Sequence, residues 1–273
     1  MSSQYVLSTS RDAFLRVAHH TAVAAALAGG RAALQACLSP LETANKAAHD
    51  LVTNGDLASE KALVSILRTA FPQHALLSEE GQGAEGDGLR WVVDPVDGTT
   101  NYARGLPCWT VSVGLMDGDD YLVGAVYDPV REEMFSAWKG GGAYLNGEPI
   151  RARETSTVDE CLFSFGLSYD SHERAQIMAV SAHMAPICMS VRDLGSAALA
   201  LAYVACGRMD CYFHSHLQPW DAVGGKVILE EAGGLMTDLS GRPWTFATRG
   251  TLAAGPNIHQ PLLDMLGELY EGD

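Results

Sequence analysis

The sequence predicts an α/β protein of two unlike parts, an α+β part over residues 1–155 and an α/β part over 156–273. Three observations predict it. Ala- and Leu-rich segments with helical spacing open the chain, strand-like runs joined by tight-turn residues fill 91 to about 150, and strand and helix patterns alternate after Ile150. The chain of 273 residues can form one large domain or two modest ones, and its 47% hydrophobic content is that of a globular protein. The boundary near 150–160 rests on the change of pattern alone.

In order, residues 11–38 and 56–70 read as helices, with Pro40 between them and Pro72 ending the second. A strand ends at Leu77 and leads through Ser78-Glu79-Glu80-Gly81 into the glycine-rich GQGAEGDG (81–88), which reads as a mobile loop. WVVD, TVSVGLMDG, YLVGAVYDP and EMFSAWKGGGAYLNG then carry β signals, with turns at Asp117-Gly118 and Asn146-Gly147. That order predicts an antiparallel sheet with helices on one side. Strands follow at 161–167, 188–192, 209–214 and 234–238, and helices at 172–183, 196–206 and 221–232. Their alternation predicts a mixed or parallel sheet covered by helices.

Composition excludes several functions. Eighteen basic against 33 acidic residues leave a formal charge of −15, and no run of Lys or Arg interrupts it. A nucleic-acid or anionic-membrane surface is excluded on those grounds. Six cysteines, Cys37, Cys108, Cys161, Cys188, Cys206 and Cys211, include no C-x-x-C pair. A reducing, cytoplasmic setting is the expectation. The stretch AVAAALA (22–28) looks like a short signal-peptide core. The pattern continues to Leu38, however, and Asp12 breaks the basic flank, so a first helix is the reading. No stretch is long enough to span a membrane.

Acids recur at the ends of predicted elements: Asp50 in HDLVTNGD, Glu79 in LLSEEG, Asp94 and Asp97 in WVVDPVDGTTNY, and Asp221 in QPWDAVGG. Each has an ordinary reading. Asp221 can cap a helix, Glu79 and Glu80 can be a solvated pair, and Asp94-Pro95 with Asp97-Gly98 can be a turn. Their sum points elsewhere. A D-x-x-D bent by proline can aim two carboxylates at one point and free the carbonyl of Val96. Divalent cations such as Mg²⁺ take oxygen ligands of this kind, and a metal offsets the desolvation of clustered carboxylates. Gly98-Thr99-Thr100-Asn101 adds a turn whose N–H groups can hold phosphate oxygens. Carboxylates beside such a turn suggest metal-assisted phosphoryl hydrolysis.

DPVDGTTNY resembles the signature of the inositol monophosphatase family. DLVTNGD (50–56), SEEG (78–81), GSAAL (195–199) and WDAVGGKVILEEAGG (220–234) match its other stations, so the resemblance covers about residues 10 to 260. D-P-x-D-G-T fixes five residues, and at roughly 5% usage each a chance match is on the order of one in ten thousand. The resemblance implies a five-layer αβαβα sandwich of the sugar phosphatase type and a phosphomonoesterase using two or three Mg²⁺ ions. Glu79, Asp94 and the Val96 carbonyl look like ligands of the first metal, and Asp94, Asp97 and Asp221 of the second. A third metal would also use Glu79. Glu79 and Thr99 match the pair that activates water, with Asp50 supporting Thr99. Gly98 and Thr99 amides would hold phosphate, and Gly195, Ser196 and Ala197 match a loop beside the alcohol.

The resemblance further implies a small-molecule phosphomonoester substrate, lithium sensitivity and a homodimer. Thr100-Asn101-Tyr102 is similar to the inositol branch, because bisphosphate nucleotidases and many histidinol-phosphate phosphatases of this fold carry a basic residue at position 100. That favours an inositol, polyol or sugar monophosphate, with the other two substrate classes as alternatives. A non-catalytic metal- or phosphate-binding regulator is the alternative of another class. The water-activating pair argues against it. One position departs from the pattern: seven residues before Asp221 the inositol enzymes carry an acid that holds a substrate hydroxyl, and this chain has His214. With His216 it forms H-x-H, but no third ligand is evident, so a histidine facing substrate or solvent is the reading.

Overall fold

The computed structural model describes residues 2–47, 50–86 and 88–270. Helix α1 (Ser2–Ala36) begins nearer the N-terminus than the predicted 11–38. Its inner face is built from buried alanines at 18, 22, 25, 26 and 33. Strands β1 (Thr43–Ala47) and β2 (Asp50–Thr53) form a two-stranded antiparallel sheet that the sequence did not announce. Helix α2 (Asn54–Ala70) follows at once, because Thr53 accepts from the N–H groups of Gly55 and Asp56 while Asp56 accepts from Thr53 N–H. This capping box satisfies donors that would otherwise be orphaned.

Seven strands form the first large sheet: β3 (Ala75–Ser78), β4 (Arg90–Asp97), β5 (Thr110–Asp117), β6 (Asp120–Asp128), β7 (Glu133–Trp138), β8 (Gly142–Leu145) and β9 (Glu148–Pro149), in that spatial order. Only the β3–β4 pair is parallel. The short helix α3 (Thr99–Ala103) leaves β4 directly. Then come β10 (Leu162–Phe165), α4 (Ser171–Met184), β11 (Ser190–Asp193), α5 (Ala197–Ala205), β12 (Cys211–His214), α6 (Pro219–Glu231), β13 (Leu235–Asp238), β14 (Thr251–Ala254) and α7 (His259–Leu269). The second sheet has the order β11-β10-β12-β14-β13. Neither β14 nor α7 was expected. TLAA is too short and uniform to show a period, and Pro261 and Gly267 interrupt the helical pattern.

The layers run α1 and α2, seven-stranded sheet, α5 and α6, five-stranded sheet, α4 and α7. This is the five-layer sandwich. It corrects the expectation of helices on one side of the first sheet, since α6, from the chain's second half, covers the other side. Val92, Met116, Val126 and Phe135 pack with α5 and α6, whereas Trp91, Val93 and Val111 pack with α1 and α2. Buried on both faces, β4 to β6 show no polar alternation to reveal a solvated side. Close contact is possible because a Cβ on Gly124 of β6 would lie 2.2 Å from the Gly224 carbonyl oxygen of α6. In β12, Cys211 and Phe213 face the outer core and Tyr212 the middle layer.

Candidate active site

A cleft of about 850 Å³ opens where β3, β4, β10, β11 and β12 end and where α5 and α6 begin. Glu79, Asp94, Val96, Asp97, Gly98, Thr99, Gly195, Ser196, Ala197, His214 and Asp221 all line it.

The strand carrying Asp94 and Asp97 explains how both acids reach one place. Residues three apart in a regular strand point to opposite faces. Here β4 pairs with β5 as far as Asp94 opposite Ser112, and the register shifts before Asp97 meets Thr110. That irregularity at Pro95-Val96 returns Asp97 to the side of Asp94. The backbone it frees is used: Pro95 O accepts from Ser59 Oγ at 2.7 Å, and Val96 O accepts from Thr99 Oγ1 at 3.0 Å. Gly98 then turns at φ +95°, where a Cβ would lie 3.0 Å from Cys108 O and 3.1 Å from Gly195 O. Only glycine suits both the conformation and the contact.

Oxygens of Asp94, Asp97 and Asp221 lie within 4.8 Å of one another. Burial, then the charges of Glu79, Asp97 and Asp221, push the Asp94 carboxyl well above its ordinary range. Burial and the charges of Asp97 and Glu79 do the same to Asp221. Asp97 is also raised by burial, although hydrogen bonds from Ser196, Ala198, Ala197 and Thr110 oppose the shift. Carboxylates so placed cannot all ionise without a counter-charge. Their oxygen-only donors fit a hard divalent cation.

Two helix starts complete the cluster. At α5, Ser196 Oγ and the N–H groups of Ala197 (3.1 Å) and Ala198 (2.8 Å) donate to Asp97, so Ser196 and Ala197 serve the acid directly. At α6, Asp221 Oδ2 accepts from Gln218 N–H at 2.9 Å. Asp221 is thus not the N-cap, which is Gln218, but the third residue of α6, whose carboxylate closes a capping box while also joining the acidic cluster. Glu79 follows β3 and hydrogen-bonds Asp94.

The acid that reaches Thr99 is Asp56, whose Oδ1 accepts from Thr99 Oγ1 at 3.2 Å. The capping box fixes Asp56 there, in the first turn of α2. The expectation for Asp50 lies outside the described residues, because Asp50 starts β2 but its side chain is not among them. Two other side-chain roles escaped the sequence reading. Glu60, fully buried, accepts from Ser78 Oγ and from Gln82 N–H at 3.1 Å, which holds the SEEG turn. Asn101 Nδ2 donates to Cys108 O and Leu194 O, both at 2.7 Å, and ties the DGT turn to the 195–197 loop.

A sequence model of the inositol monophosphatase family matches residues 15–268. The chain belongs to the inositol monophosphatase family. It is similar to a protein named Nus factor SuhB from Pasteurella multocida, 36% identical over 83% of this chain and 86% of that one. It is similar also to the inositol-1-monophosphatase of Bacillus subtilis, 34% identical over 79% of this chain and 83% of that one. Among solved structures, inositol monophosphatase from Anabaena superposes with a TM-score of 0.84 at 38% identity, covering 94% and 97% of the two chains. The protein is a phosphoric monoester hydrolase of this family.

Within this family member, His214 ends β12 and is buried on the cleft wall. Its Nδ1 accepts from His216 N–H at 3.0 Å. Burial lowers its pKa to about 4, against the opposing pull of Glu173. The imidazole is therefore neutral at neutral pH, with one nitrogen already engaged. No helix among the described residues is long and apolar enough to cross a membrane.

Proposed function

We propose that the protein is a Mg²⁺-dependent phosphomonoesterase acting on inositol monophosphate or a related polyol or sugar phosphate. The observation that carries this is the convergence of Asp94, Asp97 and Asp221 within 4.8 Å beside the Gly98-Thr99 turn. Asp94, Asp97, Asp221, Glu79 and the Val96 carbonyl would hold two or three Mg²⁺ ions, which neutralise phosphoryl charge and make water more acidic. Thr99 donates its proton toward Asp56 and Val96 O, so its lone pairs can accept from the attacking water. Glu79 takes that water's proton. The N–H groups of Gly98 and Thr99 start α3 without intrahelical acceptors and hold phosphate oxygens. Asp221 orients the water that returns a proton to the leaving alcohol. Thr100 and the name of the Bacillus subtilis relative support the polyol class.

The test is phosphate release from a panel of inositol 1-phosphate, sugar phosphates, histidinol phosphate and adenosine bisphosphate, with and without millimolar Mg²⁺. Mg²⁺-dependent release that is fastest from the polyol and sugar esters is expected. Absence of release from every ester would overturn the reading, and fastest release from histidinol phosphate or the bisphosphate would overturn its substrate class. The same reading extends to lithium inhibition and a homodimer, checked by an inhibition curve and by light scattering.

A further inference from the structure

Three strand ends lie side by side at the outer part of the cleft. Phe165 of β10 is level with Asp193 of β11 on one side and with Phe213 of β12 on the other. Gly166 follows, its N–H bound to Phe213 O at 3.1 Å. A Cβ on Gly166 would lie 2.2 Å from Tyr212 Oη and 2.9 Å from His214 Cδ2. Only a residue without a side chain leaves the tyrosine hydroxyl room at this edge.

Tyr212 is itself 2% exposed, yet it lines the cleft. No hydrogen bond engages its hydroxyl among the described residues, and the charges acting on it are Asp97, Asp193 and Asp221. A hydroxyl that faces the cleft and is not engaged by the protein is free to donate to a ligand. Beside it, His214 has its Nδ1 occupied by His216 N–H. Asp193 binds Gly195 N–H through Oδ1 at 2.8 Å, and no hydrogen bond among the described residues engages its Oδ2. A free donor and a free acceptor thus flank Gly166, in the same cleft as the acidic cluster.

We propose that Tyr212 and Asp193 form a subsite for a substrate hydroxyl on the carbon next to the phosphate ester. Tyr212 Oη–H donates to that hydroxyl, and the hydroxyl donates to Asp193. An alcohol can serve both at once. A methylene at that place leaves both unmet, and a second phosphate meets the repulsion of Asp193. The inference rests on the phosphatase reading above and sharpens its substrate class to vicinal hydroxy-phosphates.

The experiment compares trans-2-hydroxycyclohexyl phosphate with cyclohexyl phosphate, which differ by that one hydroxyl. Wild type is expected to favour the hydroxylated ester in kcat/KM. Tyr212→Phe is expected to lower that preference about tenfold, the worth of one hydrogen bond. Asp193→Ala, at an exposed position, is expected to lower it similarly and guards against a folding defect in the first variant. Tyr212→Phe should melt close to wild type, since no hydrogen bond among the described residues engages its hydroxyl. No preference in wild type, or an unchanged ratio in both variants, would overturn the subsite and leave the phosphatase reading intact. If wild type hydrolysed neither ester nor any other monoester, the phosphatase reading would fall. Calorimetric binding of the two esters to the same three proteins would then decide the subsite on the same ratio.

Discussion

The two ends of the cleft treat charge in opposite ways. At the inner end, burial raises the pKa of Asp94, Asp97 and Asp221, and the charges of Glu79 and Asp97 push Asp94 and Asp221 up further. At the outer end the protein balances itself. Glu173 accepts from Ser215 Oγ at 2.7 Å and lies 3.9 Å from Arg249, while His214 is kept neutral. An uncompensated cluster of buried charge marks where something from solution must bind. A compensated wall presents hydrogen-bonding groups and can sort substrates without a counter-ion.

The largest test breaks the inner end. Asp94→Asn should cut kcat/KM about 10²–10³-fold, measured as Mg²⁺-dependent phosphate release. The metal-free variant should nevertheless be more stable, by about 1 kcal/mol or roughly 2–4 °C in Tm, because a repelled buried charge is gone. A wild-type rate, or a lower Tm without metal, would contradict the account of the cluster.

Next in size is Gly98→Ala. Left-handed backbone costs a residue with a Cβ about 1–2 kcal/mol, and the side chain would press on Cys108 O and Gly195 O. A fall of roughly 3–6 °C in Tm is expected, with about 10²-fold lower activity as the turn moves from the acids. Equal Tm would show that the turn is not strained in this way.

The pH dependence separates the ends by sign. Asp94 and Asp221 have folded pKa values above the unfolded value of about 3.8. Their contribution to stability is complete below that value and is lost as pH rises through the folded pKa. Metal-free protein should therefore lose stability, relative to Asp94→Asn, as pH rises from about 4 toward neutral. Saturating Mg²⁺ should remove the difference, and parallel curves without metal would refute it.

The smallest effect belongs to His214. Its folded pKa of about 4 lies below the unfolded 6.5, so its contribution is present above 6.5 and lost as pH falls toward 4. NMR titration should show this imidazole unprotonated at pH 6. A midpoint near 6.5 would place it in water instead of in the wall.

Much of the inner end was legible because its signals are local. D-P-V-D-G-T is one run of chain, and a proline between two acids after an apolar strand announces a bend. Asp56 was legible too: T-x-x-D at Thr53–Asp56 is a capping-box pattern, which places that acid on a helix start. Asn101 and Glu60 were not, since what they bind lies elsewhere in the chain. Tyr212 on a strand reads as core, which it is by burial, and nothing local shows its hydroxyl without a partner.

By itself the sequence determined the order of elements from β10 to β13 and the acids placed at element ends. Strand and helix periods and turn residues act over a few neighbouring positions, and such short-range rules can be read along a chain. Only the tertiary structure decided that α6 covers the first sheet and brings Asp221 to Asp94 and Asp97. It also decided that Asp56 serves Thr99, and that His214 stays neutral beside an unpartnered Tyr212. Burial and Coulomb interactions depend on distances in space, and the residues that set them here come from both halves of the chain.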